Sequence, residues 1–465
     1  DSSVDLIANT QVTTYMMCSG SDFVYYPSNY GRLLGDDKNG TLDCKSNPTL
    51  YKQLKTMYDN ESFLQSKGTD IIRYTLSRAR QKGLESFITY RVNDLHFNNH
   101  NEDCPLMFSD FWNAHTEYWV NDTTQGFNSA GALDFAHPEV RQQKLNMIYE
   151  QLDKYADCLD GYELDFLRFF VYFKPGEGHK YTKEMTQFVS DVRKKIDEIS
   201  ARTGHQILLA VRVAPKLSEN MEKGLDVGEW LRHDLVDFVT IGTHWRIDPA
   251  LPVDRFRTEL GDDLNVPLYA TLADGGYKPF ETLSEGMNTG AASHILANGA
   301  DGVYLFNYYF GPPNFQNNNP KPLPGGEVIR VRTPKALQYL GRMETLRYRN
   351  KTYFLPDGSP QYGMFPVTPL PLQVKKNASG NIFVGDEVRT DVPENVFLYF
   401  RTDKSGKFSV AVNGRTVGQE IQGFAKTYDK EHNMEGTDMN YAYEVPVSAL
   451  RQGYNQVSFS NSGND

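Results

Sequence analysis

From the N-terminus to about residue 345, short apolar runs rich in β-branched and aromatic residues alternate with longer stretches whose apolar positions recur every three or four residues. The short runs predict strands at 12–17, 86–92, 132–135, 161–167, 206–214, 237–243, 266–272 and 302–308. Between the fourth and fifth, Met185, Phe188, Val189, Val192, Ile196 and Ile199 mark one face of a helix that Gly204 would stop. Leu145, Ile148, Leu152 and Tyr155 do the same before the fourth. Strands separated by helix-length segments predict an α/β chain whose residues 1–347 form a (β/α)8, or TIM, barrel, with function at the C-terminal ends of the strands. A doubly wound sheet would favour a Gly-rich first turn, which this sequence lacks.

The period then changes. A last barrel helix is expected over 334–347, and 348–368 reads as a Pro- and Gly-rich linker. Runs of alternating character at 395–401, 408–414, 441–447 and 454–459 predict a small C-terminal β-sandwich over 369–465, with Asn413-Gly414 as a tight hairpin turn.

Charge narrows the partners. Lys and Arg number 48 against 59 Asp and Glu, a net charge of −11 that disfavours binding to a nucleic-acid backbone. No apolar run has the length of a membrane-spanning helix. Asp1 to Asp5 have neither the basic start nor the apolar core of a signal peptide, so the chain is either cytoplasmic or a mature form. Four cysteines at irregular spacing exclude a disulfide scaffold and leave room for one bridge, for which Cys44 and Cys104, both in polar loop sequence, are the candidates; Cys158 reads as a small buried hydrophobe. Cys18 has no evident activating partner.

The chemistry concentrates in Asp160-Gly-Tyr-Glu163-Leu-Asp165-Phe-Leu-Arg168. Two apart on a strand, Glu163 and Asp165 share a face toward the barrel axis, while Tyr162, Leu164 and Phe166 face the covering helices. Buried carboxylates are either paired or used. Arg212, on the next expected strand, is a candidate to neutralise Glu163, which is then either a structural ion pair or a catalytic group. Asp165, nearer the strand end, is the candidate for function. Other polar and aromatic residues gather after strands. Tyr90, Arg91, Asn93, Asp94 and His96 follow the second, His244, Trp245 and Arg246 the sixth, and Asn307 with Tyr308 the eighth. Such groups suit a sugar, whose C–H face stacks and whose hydroxyls need planar partners. Arg91, Arg168, Arg212 and Arg246 suit an anionic sugar, a uronate or sulfated residue, unless they are spent on neighbouring carboxylates. Asp94, His96, Asn98 and His100 alternate without matching a metal motif, so no metal is assigned.

The stretches Tyr90-Arg-Val-Asn-Asp-Leu-His96, Leu133-Asp-Phe-Ala-His-Pro-Glu-Val-Arg141 and Asp160 to Arg168 resemble a group of glycoside-hydrolase-like TIM-barrel proteins of bacterial polysaccharide degradation, the last two also the hydrolase-like family 10 pattern. The resemblance spans about residues 10–310. The fourth strand is similar to the α-amylase type, whose nucleophilic Asp maps onto Asp165, although Glu163 stands where that family has Arg. It is also similar to the chitinase pattern, but Leu167 occupies the position of the acid Glu. The resemblance implies a bacterial, secreted or periplasmic glycoside hydrolase acting on a polysaccharide or a derived oligosaccharide without a cofactor. Its chemistry needs two carboxyl groups, one to protonate the leaving oxygen and one to attack or activate water. Asp165 is the candidate nucleophile or base; either Asp274, expected at the end of the seventh strand, or Glu163 donates the proton. The competing reading is a non-catalytic carbohydrate-binding protein on a hydrolase scaffold.

Overall fold

The computed structural model describes residues 2–36, 48–96, 109–126, 128–243, 248, 250–261, 263–273, 284–308, 335–356, 368–374, 376–431 and 439–462. The chain divides into two compact units. One holds Asp1–His244, Phe256–Leu268 and Pro360–Phe365; the other holds Trp245–Arg255, Tyr269–Ser359 and Pro366–Asp465.

In the first unit, β1 (Thr14–Gly20), β4 (Glu85–Arg91), β5 (Gly161–Asp165), β6 (Leu208–Val213) and β7 (Phe238–Ile241) lie side by side, all parallel. Two short strands, β2 (Phe23–Val24) and β3 (Arg32–Leu33), extend the β1 edge. Helices α1 (Ser2–Ile7), α2 (Pro48–Ser66), α3 (Ile71–Gln81), α4 (Asp110–Ala114), α5 (Pro138–Tyr155), α6 (Thr182–Thr203), α7 (Leu217–Glu222) and α8 (Val227–Arg232) complete it. The six apolar positions of α6 are all buried, and Gly204 ends the helix at φ +69°, a left-handed cap that suits glycine. Burying each such side chain contributes about 1.5–3 kcal/mol. Tyr162 shows how strand and helix lock: its ring stacks on Tyr90 and its hydroxyl donates to Gln151 of α5 at 2.8 Å.

The expected third strand does not form. Residues 132–135 are fully buried but make one isolated bridge, Trp119 with Leu133. The backbone around them is satisfied by neighbouring loops instead: Val120 N donates to Ala132 O, Asp134 N to Tyr118 O and Phe135 N to Tyr172 O. A short apolar run reads as a strand from sequence whenever a loop is deeply buried, because periodicity cannot separate the two.

The second unit contains the parallel pair β8 (Leu268–Ala273), all but its first residue, and β9 (Gly302–Phe306), with α10 (Glu285–Ala297) between the strands in sequence; α9 (Val253–Leu260) is divided, its residues from Phe256 onward belonging to the first unit. On α10, Gly290 lies so close to the following chain that an added Cβ would meet the Thr352 carbonyl at 2.3 Å. The expected helix over 334–347 is reduced to a 3-10 turn, Ala336–Gln338, and α11 (Met343–Leu346). Two antiparallel sheets follow. One has the order β10 (Asn377–Val384), β15 (Gly453–Asn461), β12 (Phe408–Val412), β13 (Arg415–Thr416); the other pairs β11 (Phe397–Thr402) with β14 (Met439–Glu444), and α12 (Phe424–Glu431) precedes β14. Val410, Val412, Tyr441, Tyr443 and Val457 from both sheets share one apolar cluster, and Phe400 stacks on both tyrosines. Asn413 and Gly414, at φ +50° and +78°, form the two-residue turn between β12 and β13.

Cys18 and Cys158 are free; burial pushes the Cys158 thiol up to about 11. Cys44 and Cys104 lie outside the described residues. Among the described residues, no helix is long and apolar enough to cross a membrane.

Candidate active site

The parallel register of β4, β5 and β6 builds the site in rows. Phe87 pairs with Gly161; Thr89 pairs with Glu163, which pairs in turn with Ala210; and Arg91 pairs with Asp165, which pairs in turn with Arg212. In the lowest row, a Cβ on Gly161 would come within 2.0 Å of the Phe87 ring, so only glycine lets that ring cover the strand. Asp160, just before, accepts from Ser86 N and Ser86 Oγ at 2.9 and 2.8 Å and from His205, tying the starts of β4 and β5 together. The motif Asp160-Gly-x-x-x-Asp165 thus begins as a structural staple.

The middle row holds Glu163, wholly buried, with Oε1 accepting from Thr89 Oγ1 at 2.6 Å. The upper row holds Asp165. Arg212 grips both its oxygens, Nε to Oδ1 at 2.9 Å and Nη2 to Oδ2 at 3.0 Å, and Leu167 N donates to Oδ1 at 2.9 Å. Both partners are almost inaccessible. Arg212 therefore neutralises Asp165 and not Glu163, because the register sets it beside Asp165 and sets Ala210 beside Glu163.

Past the end of β4, Asp94 gathers three groups. Its Oδ2 accepts from Arg91 Nη1 at 2.8 Å, and its Oδ1 accepts from His96 N at 3.0 Å and meets His96 Nδ1. Burial alone would raise the Asp94 carboxyl, but His96 and Arg91 outweigh it and hold the group well below the usual carboxylate range. His96 Nε2 lies 2.7 Å from Arg168 Nη2. A guanidinium only donates, so Nε2 accepts, the ring proton sits on Nδ1 facing Asp94, and the imidazole is neutral. Burial lowers the His96 pKa against the opposing pull of Asp94, in the same sense.

Two other expected site residues serve the scaffold. Tyr90 faces the helices: fully buried, it stacks on Tyr162 and its hydroxyl points to Met147 Sδ of α5 at 3.6 Å. Asn93 spends its amide on the Leu133 and Val171 carbonyls at 3.1 and 2.7 Å, joining three loops. Asn307, at φ +52°, and Tyr308, whose hydroxyl burial pushes up to about 12, follow β9 in the other unit. Asp274, His244, Trp245, Arg246, Asn98 and His100 lie outside the described residues.

The sequence reading passed over one buried ion pair. Lys144 of α5, wholly inaccessible, donates to Asp22 Oδ2 at 2.6 Å and Ser21 Oγ at 2.9 Å, while Ser109 Oγ donates to Asp22 Oδ1. The signal was present: Lys144 falls on the stripe of Val140 and Ile148, where an exposed lysine does not belong.

No protein-family model matches the chain, and no curated protein matches it. Solved structures with some likeness include a glycoside hydrolase family 18 N-acetylglucosaminidase from Paenibacillus barengoltzii, 15% identical over 45% of this chain and 57% of its own, with a TM-score of 0.28. An endo-1,4-beta-xylanase from Penicillium canescens is 14% identical over 51% and 68%, TM-score 0.32. A putative alpha-L-fucosidase from Bacteroides thetaiotaomicron is 13% identical over 65% and 76%, TM-score 0.33. This chain spans little more than half of the Paenibacillus enzyme, and likenesses at these scores transfer neither activity nor substrate.

Proposed function

We propose that the chain is a glycoside hydrolase, secreted or periplasmic, with a TIM-barrel-like catalytic domain of the hydrolase-like family 10 kind, in which a buried loop stands in the place of the third strand, and a C-terminal β-sandwich. Its substrate is a polysaccharide or derived oligosaccharide carrying anionic sugars. The observation that carries this reading is the stacking of two carboxylates, Glu163 below Asp165, on one face of a central parallel strand, with the upper one at its C-terminal end. Asp165, oriented by the Arg212 fork and by Leu167 N, is the nucleophile or base. Glu163 or Asp274 supplies the proton. The chemistry uses no cofactor.

One observation favours the second reading, a carbohydrate-binding protein without catalysis: both oxygens of Asp165 are already committed to Arg212. Release of reducing sugar from neutral, uronate-containing and sulfated polysaccharides separates the two. The hydrolase reading expects turnover by the native chain, falling about 10²–10⁴-fold in Glu163→Gln if that residue is the acid, with glycan binding retained. Binding to the same glycans with no turnover of any of them supports the second reading.

A further inference from the structure

Three arginines stand at the ends of β4 and β5 or in the row beside them, and they are not equivalent. Arg91 has Asp94 and Arg212 has Asp165. Arg168 has no carboxylate within ion-pair distance among the described residues. Its hydrogen bond goes to the neutral His96 at 2.7 Å, its guanidinium lies 5.5 Å from the Phe169 ring centroid, and its buried Nε has no hydrogen-bond partner among the described residues. Burial, then repulsion from Arg91, bring its pKa down to about 10 despite the pull of Asp94 and Asp165. A mostly buried cation with an unsatisfied donor is costly, and the fold gains nothing visible from it. Asp94 holds the His96 proton on Nδ1, so Nε2 can only accept, and that acceptance orients the guanidinium. Access remains: the His96 side chain is 29% exposed and Arg168, though mostly buried, is not fully covered.

We infer that Arg168, oriented by His96, is the binding point for one anionic group of the sugar substrate, a carboxylate or a sulfate. The anion supplies the counter-charge that no carboxylate among the described residues gives within ion-pair distance, and Arg91 and Arg212 take no part because each is already neutralised. This deepens the hydrolase reading and rests on it for the identity of the ligand as a glycan.

The test is calorimetric binding of uronate-containing, sulfated and neutral oligosaccharides of equal length to the native chain, Arg168→Gln and Arg168→Lys, with thermal unfolding of each unliganded protein. Anionic glycans are expected to bind the native chain at least about tenfold tighter than neutral ones, and the better anionic arm identifies the group. Arg168→Gln should abolish that preference while leaving neutral binding unchanged. Arg168→Lys, which keeps the charge and loses the fork, should fall between. The unliganded Arg168→Gln protein should unfold no earlier than the native chain. Equal binding of anionic and neutral glycans, equal losses on both in Arg168→Gln, a marked fall in its unfolding temperature, or no binding at all overturns the inference. Turnover distinguishes this from failure of the hydrolase reading: anionic preference without cleavage of any glycan refutes only the latter, and cleavage of neutral glycans without that preference refutes only the former.

Discussion

The charges borne on the strands and those borne on the loops just past them obey different rules. In the strand row, Asp165 and Arg212 are inaccessible and satisfy one another in a fork. In the loop cluster, Asp94 serves both Arg91 and His96, and Arg168 is left leaning on a neutral ring. A side chain on a strand has its neighbour dictated by register, which sets Arg212 beside Asp165 and, in the row below, Thr89 and Ala210 beside Glu163. A loop has no register, and the same chain tolerates an imbalance there that a ligand can correct. The contrast teaches where to look for recognition in such a site: at the unmatched cation rather than at the densest cluster.

Removing one member of the strand pair should have the largest effect. Arg212→Met strands the Asp165 carboxylate and is expected to cost about 3–5 kcal/mol in chemical denaturation. Asp165→Asn together with Arg212→Gln should recover much of that loss, because the cost lies in the orphaned partner. Equal losses in single and double variants would show that the two do not act as a pair. The same logic applied to Arg168→Gln gives the opposite sign, with no loss of stability.

The pH dependence of stability sharpens the comparison further. His96 has a lowered folded pKa, so the unfolded chain takes up the proton first, and its contribution is lost as pH falls below its unfolded pKa of about 6.5. Asp94 is also lowered, so its contribution is present above its unfolded pKa of about 3.9 and is lost as pH falls toward the folded value. Denaturation midpoints should therefore decline in two steps on acidification. His96→Gln should shrink the upper step, which the buried His294, lowered to about 4, shares, and should also shrink the lower step, because His96 helps hold Asp94 down; a native chain flat between pH 4 and 7 would contradict the neutral His96.

Tyr90→Phe should change least, by about 1 kcal/mol, and should leave glycan affinity untouched, since the hydroxyl meets Met147 and Ser21 in the scaffold. A loss of affinity would return Tyr90 to the site.

Tyr90 also shows what the sequence could and could not convey. The spacing of Glu163 and Asp165 is enough to put them on one face, and the same alternation should have separated Tyr90 from Arg91, since adjacent residues on a strand point opposite ways. Arg91 has the phase of the site face, beside Asp165, and Tyr90 does not. Asn93 is different: its partners, Leu133 and Val171, lie 40 and 78 residues away, and no local pattern announces such a bond. The same holds for the choice of Arg212 between Glu163 and Asp165, which a shift of two residues in register would reverse. The β5 and β6 strands, α6 and the Asn413-Gly414 turn were readable because each rests on local periodicity or turn chemistry. The buried loop at 132–135 passed for a strand because burial and strand formation leave the same short apolar run.

The most direct measurement is glycan turnover by the native chain beside the Asp165→Asn/Arg212→Gln pair, with both proteins shown to be folded and both titrated with the same oligosaccharides. Turnover by the native chain that falls at least about a hundredfold in the paired variant, with binding retained, is the expected result and would place the strand row in the chemistry. Binding without turnover by the native chain, or a paired variant as active as the native one, would contradict it and leave the row as an internal brace beneath a binding site.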